Sequence, residues 1–229
     1  EKIISKLSSC LKIFKNQILI AQTGVIGEPL NTNKIVNAIS KLTDNLSSNN
    51  WLSAAKAIMT TDTYPKYSSL CYNFEGAKIH LTGIAKGSGM IAPNMATMLA
   101  FIFTDANLTS SQLSKMLNSS IQKSFNNITV DGDTSTNDMV SIFSTGKAKH
   151  SKINNVNDPK IKEFDEALKK VLLNLAKRVV SDGEGASKFI TIKVKNSKTE
   201  DDAKKIGLSI ANSKLVKTAI AGEDPNWGR

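Results

Sequence analysis

A threonine at the start of an apolar strand is the residue of this sequence best suited to covalent chemistry. Thr97 lies in the run Met95-Ala96-Thr97-Met98-Leu99, after a glycine-bearing loop and the turn pair Pro93-Asn94. A threonine hydroxyl is a poor nucleophile until a base lies beside it. Breaking the chain before the threonine would create that base as an α-amine. A buried strand preceded by a loop explains the same layout, and layout alone favours that simpler interpretation.

The elements around this run alternate between strand and helix patterns. Apolar periodicity predicts strands at 18–22, 70–74, 78–83, 98–103, 139–144 and 188–195. It predicts helices at 33–47, 51–59, 110–125, 159–180 and 199–212, with Asp158 capping the fourth. Interleaved strands and helices without an internal repeat indicate an α/β or α+β fold.

Composition fits a globular protein and argues against a nucleic-acid interface. The 229 residues, with 40% hydrophobic and 22% charged side chains, can form one large or two small domains. The net charge of +10 is spread evenly, since residues 1–96 carry 10 basic and 5 acidic side chains and residues 97–229 carry 20 and 15. Arginine, which best reads bases and grips phosphates, occurs only at Arg178 and Arg229. A nucleic-acid-binding module, which would associate in a salt-sensitive way, is therefore disfavoured.

Cysteine and histidine offer no alternative catalytic pattern. Cys10 and Cys71 match no zinc-binding spacing, and we expect them to be reduced, buried thiols. His80 and His150 have no serine or cysteine partner nearby in sequence, so a Ser-His-Asp site finds little support. This scarcity of histidine leaves room for a different base.

Two short motifs resemble ligand-binding loops but lack the full pattern. Asp131-Gly132-Asp133 lacks the later ligands of a calcium-binding EF-hand, and we expect a structural turn there. Gly87-Ser88-Gly89 lacks the third glycine and the ribose-binding acid of a dinucleotide fingerprint. Neither motif predicts a metal site or a cofactor site, so the residues alone give no reason to expect a metal or a bound cofactor.

Four collinear segments together resemble the ornithine acetyltransferase family, the glutamate N-acetyltransferases of the cyclic arginine pathway. The run from Gly83 to Asp105 resembles the segment at which family precursors break between alanine and threonine. The runs 23–30, 124–138 and 215–229 resemble other family segments and occur in the family's order. Four long matches across residues 23 to 229 are far more specific than one short motif.

The resemblance implies chemistry for the residues around Thr97. Its hydroxyl would attack the Ala96 carbonyl and convert the amide to an ester, which water then opens. The freed amine, with a reference pKa of about 8, would serve as the base while Thr97 carries the acetyl group. Thr23 and Gly24 match the family's oxyanion pair. Without the resemblance, that pair is a glycine turn with a solvated threonine.

The resemblance also implies a site for an amino acid that carries charges of both signs. Lys86, Thr63 and Glu184 match the family's substrate-binding lysine, threonine and glutamate, and Thr97 belongs to the same set. Without the resemblance, Lys86 would be a surface lysine and Glu184 a charge at a helix end.

The implied function is transfer of an acetyl group from N-acetylornithine to glutamate. Acetyl-CoA as a second donor stays open, as does an amidase or aminopeptidase with the same N-terminal nucleophile. The implied partners are small-molecule substrates and the two chains of one cleaved precursor, 1–96 and 97–229, assembled as a heterotetramer. No nucleic-acid or membrane partner is expected, since no apolar run approaches the roughly 18 residues of a bilayer span. A cytoplasmic location is expected.

The implied architecture is a four-layer α-β-β-α sandwich of two packed sheets, with a smaller α/β portion from about residue 186. The chain begins at Glu1 without a methionine, and sequences of the family continue beyond the position of Arg229. We therefore expect a fragment of a longer protein, inactive as it stands, whose substrate pocket is open on one side.

Overall fold

The computed structural model describes residues 1–25, 27–92, 98–134, 138–153, 155 and 158–225. Ala96 and Thr97, the predicted cleavage pair, lie outside the described residues. The chain divides into two units, Glu1–Ser53 and Ala54–Arg229, and each has its own packing.

The first unit is helical. Its elements are α1 (Lys2–Leu11), a 3₁₀ turn (Lys15–Gln17), α2 (Thr32–Asp44) and the first residues of α3 (Trp51–Ala57). Helix α1 packs against α2, and α2 begins at Asn31, whose side chain accepts a hydrogen bond from the Lys34 N–H. The helices predicted at 33–47 and 51–59 are confirmed.

The predicted strand at 18–22 is wrong. Residues 18–25 form neither helix nor strand, and Leu19 is 67% exposed. A strand forms where its backbone groups pair with a neighbouring strand, and an apolar pattern does not reveal whether that neighbour is present. Thr23 and Gly24 therefore lie in an irregular segment and not at the end of a strand.

The second unit contains a mixed four-stranded sheet in the order β1-β2-β3-β4. Its strands are β1 (Lys66–Phe74), β2 (Ala77–Lys86), β3 (Leu99–Thr104) and β4 (Met139–Ser144). The first three are antiparallel, and β4 runs parallel to β3. The β1–β2 hairpin turns at Glu75 and Gly76, whose φ values of 47° and 79° suit a two-residue loop. The strands predicted at 70–74, 78–83, 98–103 and 139–144 are confirmed.

The register of this sheet gathers three strand ends at one edge. Lys86, the last residue of β2, pairs with Leu99 at the start of β3, and Leu99 pairs with Met139 at the start of β4. The parallel pairing of β3 with β4 causes this, because parallel strands begin at the same edge of a sheet. Side chains at or just beyond these ends can therefore meet.

Helices cover one face of the sheet and build the core. The remaining elements are α4 (Ser110–Gln122), a 3₁₀ turn (Phe125–Asn127), α5 (Ile161–Ser181), α6 (Glu200–Asn212) and α7 (Lys214–Ala221). Helix α5 packs on β1, β2 and α4, and Leu168 and Leu172 of α5 are fully buried. A Cβ at Gly83 of β2 would lie 2.8 Å from Leu175 Cδ1, so the glycine allows helix and strand to approach closely.

The starts of α6 and α5 differ in how they are capped. The side chain of Thr199 caps α6 through the Asp202 N–H, which confirms the helix predicted at 199–212. The predicted capping of α5 by Asp158 is wrong: Asp158 accepts a hydrogen bond from the Lys160 N–H, but α5 begins at Ile161, after Lys160, and has no side-chain cap. The helix predicted at 110–125 is confirmed to Gln122 and then tightens into a 3₁₀ turn.

The predicted strand at 188–195 is wrong, for the same reason as the first. Residues 186–195 carry no strand pairing, and Phe189 is 49% exposed. The smaller α/β portion from about residue 186 stays a prediction.

The fold is mixed α/β, as predicted. Among the described residues there is one sheet, so the four-layer sandwich of two sheets stays a prediction. None of the helices in those ranges is long and apolar enough to cross a bilayer.

The expectation of two buried thiols is wrong, because Cys71 is exposed on β1 and Cys10 is partly exposed. Neither cysteine is in a disulfide.

Candidate active site

A buried lysine between two carboxylates organises the sheet edge where β2 ends. Lys66 is 0% exposed, and its Nζ lies 2.5 Å from Asp62 Oδ1 and 2.5 Å from Asp182 Oδ2. Asp62 precedes β1, while Asp182 follows the last turn of α5. The ionic network of Lys66, Asp62 and Asp182 therefore ties the sheet to the end of its main helix.

Asp62 also holds the loop that follows Lys86. Its Oδ1 accepts a hydrogen bond from the Gly87 N–H at 2.8 Å, and its Oδ2 accepts one from the Thr60 N–H at 3.1 Å. Burial raises the pKa of Asp62, but the hydrogen bonds from Gly87, Lys66 and Thr60 outweigh burial and hold this pKa below its usual value. The carboxylate is thus charged and acts as a fixed acceptor.

Thr63, a predicted substrate residue, is attached to the same network. Its N–H donates to Asp182 Oδ2 at 2.9 Å, and its hydroxyl donates to Asp182 Oδ1. Burial raises the pKa of Asp182, whereas the bonds from Lys66 and Thr63 lower this pKa below its usual value. Since the Thr63 hydroxyl proton points to Asp182, the oxygen lone pairs of this exposed residue remain available to accept from a ligand N–H.

Lys86 is a buried cation without an anionic partner in the described part of the chain. It is 1% exposed, and its Nζ lies 3.5 Å from Thr60 Oγ1. Burial lowers the pKa of Lys86, while the charges of Asp62 and Asp138 act in the opposite direction without forming an ion pair. Lys86 is therefore not the surface lysine that would be expected without the family resemblance. Its ammonium group can bind an anion.

Glu184 lies beside the loop that Lys86 begins. Its N–H donates to the Ser88 carbonyl at 2.9 Å, and the Ser88 hydroxyl is 2.7 Å from Thr61 Oγ1. The Glu184 carboxylate is exposed and forms no hydrogen bond or ion pair with another described residue. The structure thus brings Thr63, Lys86 and Glu184 together through one chain of contacts.

Asp138 is a site residue that sequence reasoning missed. Its Oδ1 accepts a hydrogen bond from the Met98 N–H at 2.5 Å, and its Oδ2 is buried without a partner in the described ranges. Burial raises the pKa of Asp138 to about 6, against smaller lowering effects from Met98 and Lys86. Its position at the end of the 124–138 run was the available signal.

Asp131 anchors the other end of the loop. It accepts hydrogen bonds from the Met90 N–H at 2.5 Å and the Ile91 N–H at 3.0 Å. The Asp133 N–H also donates to Asp131 at 3.1 Å. A carboxylate used in this way serves the backbone, and no cluster of three or more potential metal ligands occurs within the described ranges.

Four other residues considered in the sequence analysis are each described within their own unit. Thr23 and Gly24 belong to the first unit, where Thr23 is half-buried and a Cβ at Gly24 would meet nothing within 4 Å. His80 pairs with Asp105, and His150 accepts a hydrogen bond from the Asn107 N–H. A cavity of about 1070 Å³ is lined by Glu184 but not by Thr63 or Lys86.

Comparison with known proteins identifies close relatives. The sequence model of the ArgJ family matches residues 1–229. The chain is 51% identical over 229 residues to the "Arginine biosynthesis bifunctional protein ArgJ" of Bartonella henselae, and 49% identical over 231 residues to the protein of that name from Bradyrhizobium diazoefficiens. Each alignment covers 100% of this chain but only 56% and 55% of those relatives. The chain therefore spans about half the length of the curated relatives it matches.

A solved structure shows the same similarity. The crystal structure of arginine biosynthesis bifunctional protein ArgJ from Bacillus halodurans matches with a TM-score of 0.53 and 41% sequence identity. The match covers 56% of this chain and 60% of that chain.

Proposed function

The chain belongs to the ArgJ family, and on that premise we propose that this protein transfers an acetyl group from N-acetylornithine to glutamate. The observation that carries the proposal is the Lys86 ammonium, which is 1% exposed and has no ion pair within the described ranges. A buried charge without a counter-charge is unfavourable, so this site favours a ligand that brings a carboxylate. N-acetylornithine and glutamate both carry such a carboxylate.

The charges around Lys86 fit N-acetylornithine. Lys86 would bind its α-carboxylate, and the Glu184 carboxylate would bind its side-chain ammonium. The Thr63 hydroxyl, whose proton is donated to Asp182, would accept a hydrogen bond from the acetamide N–H. In the second half of the reaction, Lys86 would bind a carboxylate of glutamate.

Thr97 would be the nucleophile after self-cleavage. Its Oγ first adds to the Ala96 carbonyl carbon, the peptide nitrogen leaves as the new amine, and water then hydrolyses the resulting ester. This breaks the chain between Ala96 and Thr97 and leaves an N-terminal threonine. Residues on either side would remain one enzyme, assembled further as a heterotetramer.

Acetyl transfer would then proceed in two halves. The Thr97 amine takes the hydroxyl proton while Oγ adds to the acetyl carbonyl, and the intermediate expels the ornithine amine, which takes that proton. The glutamate amine next attacks the acetyl-threonine ester and gives a proton to the Thr97 amine, which passes it to Oγ as Oγ leaves, and N-acetylglutamate forms. The Thr23 hydroxyl and the Gly24 N–H would stabilise the oxyanion in each half. Acetyl-CoA could replace N-acetylornithine in the first half.

The test follows isotope-labelled acetyl from N-acetylornithine to glutamate by mass spectrometry, using the chain extended to the length of its ArgJ relatives. Wild type should contain a fragment beginning at Thr97 and form labelled N-acetylglutamate. Thr97→Ala should remain one chain and lose activity by at least about 10³-fold, while Thr97→Ser should keep both reactions. Labelled acetate without N-acetylglutamate would support the amidase alternative. An intact wild-type chain that still transfers acetyl would contradict the cleavage step.

A further inference from the structure

The Glu184 carboxylate lies directly against the backbone of Gly89. A Cβ placed on Gly89 would lie 2.6 Å from Glu184 Cδ, 2.7 Å from Oε1 and 2.8 Å from Oε2. All three distances are shorter than the contacts that real Cβ atoms make. A side chain at position 89 and the Glu184 carboxylate therefore cannot occupy this space together. The carboxylate occupies the volume that any larger residue at position 89 would take.

The backbone on both sides of this contact is fixed. The Glu184 N–H donates to the Ser88 carbonyl, the Ser88 hydroxyl contacts Thr61, and the Gly87 N–H donates to Asp62. The Glu184 carboxylate, in contrast, has no hydrogen bond or ion pair among the described residues. A methyl group at position 89 would therefore displace the carboxylate and leave the backbone in place.

Glycine at position 89 is not required by its backbone conformation. Gly87 has a φ of 147°, which disfavours other residues, but Gly89 is not among the positive-φ residues. Alanine can adopt the conformation of Gly89, so the missing side chain matters for the space it leaves.

We propose that Gly89 is a positioning residue that sets the location of the Glu184 carboxylate and thereby the preference of the site for a cationic amino acid. The inference rests on the proposed function, in which Glu184 binds the ammonium of N-acetylornithine. Glutamate has no side-chain cation, so its binding depends less on this carboxylate.

The experiment compares Gly89→Ala with Gly207→Ala in the chain extended to the length of its ArgJ relatives. A Cβ at Gly207 would meet only Val194 Cγ2, at 3.7 Å, so this control should leave both KM values unchanged. Gly89→Ala should raise the KM for N-acetylornithine roughly tenfold, the loss expected for one charge-assisted contact, with a much smaller change for glutamate and in kcat.

A double-variant cycle separates positioning from a general structural effect. Glu184→Gln should raise the same KM, and Gly89→Ala combined with Glu184→Gln should be no worse than Glu184→Gln alone. If Gly89→Ala folds poorly, adding Glu184→Ala should restore its thermal stability by removing the clash. Additive effects, an unchanged KM for N-acetylornithine in Gly89→Ala, or no such restoration would each overturn the inference. If the wild type itself shows no acetyl transfer, the proposed function is overturned instead.

Discussion

Lys66 shows how a single buried charge can hold several site residues. Its ammonium contacts Asp62 and Asp182, which in turn fix Gly87 and Thr63. Replacing Lys66 by methionine keeps most of the volume but leaves two buried carboxylates without a counter-charge. We expect Lys66→Met to lower the free energy of unfolding by about 3–5 kcal/mol, measured by urea denaturation.

The matched control is Lys160→Met, which removes a lysine from the exposed ion pair with Glu75. Solvent screens that pair, so we expect only a small loss of stability. Equal losses in the two variants would contradict the special role assigned to Lys66.

Asp138 predicts a pH dependence of stability. Burial raises its pKa from 3.8 to about 6 in the folded protein, so the folded state keeps a proton that the unfolded state has released. Stability that is present at low pH is therefore lost as the pH rises through that interval. Asp138→Asn keeps an acceptor for the Met98 N–H but cannot ionise.

Asp138→Asn should not show this loss. We therefore expect the free energy of unfolding of Asp138→Asn, relative to that of the wild type, to increase between pH 4.5 and pH 7 by roughly 1 to 2 kcal/mol after allowance for partial exposure. Urea midpoints at the two pH values measure this difference. A difference that stays constant with pH would show that Asp138 titrates normally.

At the scale of elements, two carboxylates hold the connection between β2 and β3, one on each side of the predicted cleavage site. Asp131 binds the Met90 and Ile91 N–H groups, and Asp138 binds the Met98 N–H. The predicted cleavage site lies in the chain between these anchors. Small displacements of reacting groups can slow a reaction by about 10²-fold, so we expect both anchors to affect the rate of the proposed self-cleavage.

We expect Asp131→Asn to slow self-cleavage of the precursor about tenfold, because the amide accepts less strongly than the carboxylate and can satisfy the two N–H groups only in part. The rate is measured by the appearance of the fragment that begins at Thr97. Asp133→Asn is the control, since only the backbone N–H of Asp133 is hydrogen-bonded to Asp131. A normal cleavage rate in Asp131→Asn would show that this anchor serves stability alone.

Sequence reasoning succeeded for the predicted helices and for the four strands of the sheet, and it failed for two segments with a strand pattern but no pairing partner in the described part of the chain. The helix at 199–212 and the strand at 139–144 carry local periodicity and are confirmed. The strands predicted at 18–22 and 188–195 are wrong, because pairing is a property of two segments.

The same limit applies to the site. Lys86, Thr63 and Glu184 are predicted from the family resemblance, but the network that connects them is not. Asp182 and Lys66 are 116 positions apart, and nothing local marks either as a partner of the other. Their neighbours gave the only hint, since Asp62 precedes Thr63 and Asp182 lies two residues before Glu184.

At the scale of the whole molecule, the mixed sheet determines which distant segments meet. The family match covers residues 1–229, and the parallel pairing of β3 with β4 brings the region around Asp138 to the end of β2. A fully antiparallel arrangement would have placed the starts of β3 and β4 at opposite edges. The sheet topology is therefore as important to the candidate site as the identity of its side chains.

The pairing of β2 with β3 would hold two polypeptides together if the chain were cut in the connection between these strands. Lys86 to Leu81 pair with Leu99 to Thr104 through backbone hydrogen bonds that do not depend on the intervening peptide bonds. A cut there would turn one folding unit into a complex of two polypeptides that share a sheet. Its stability would then obey mass action, so dilution alone could lower it, as it never can for an unbroken chain.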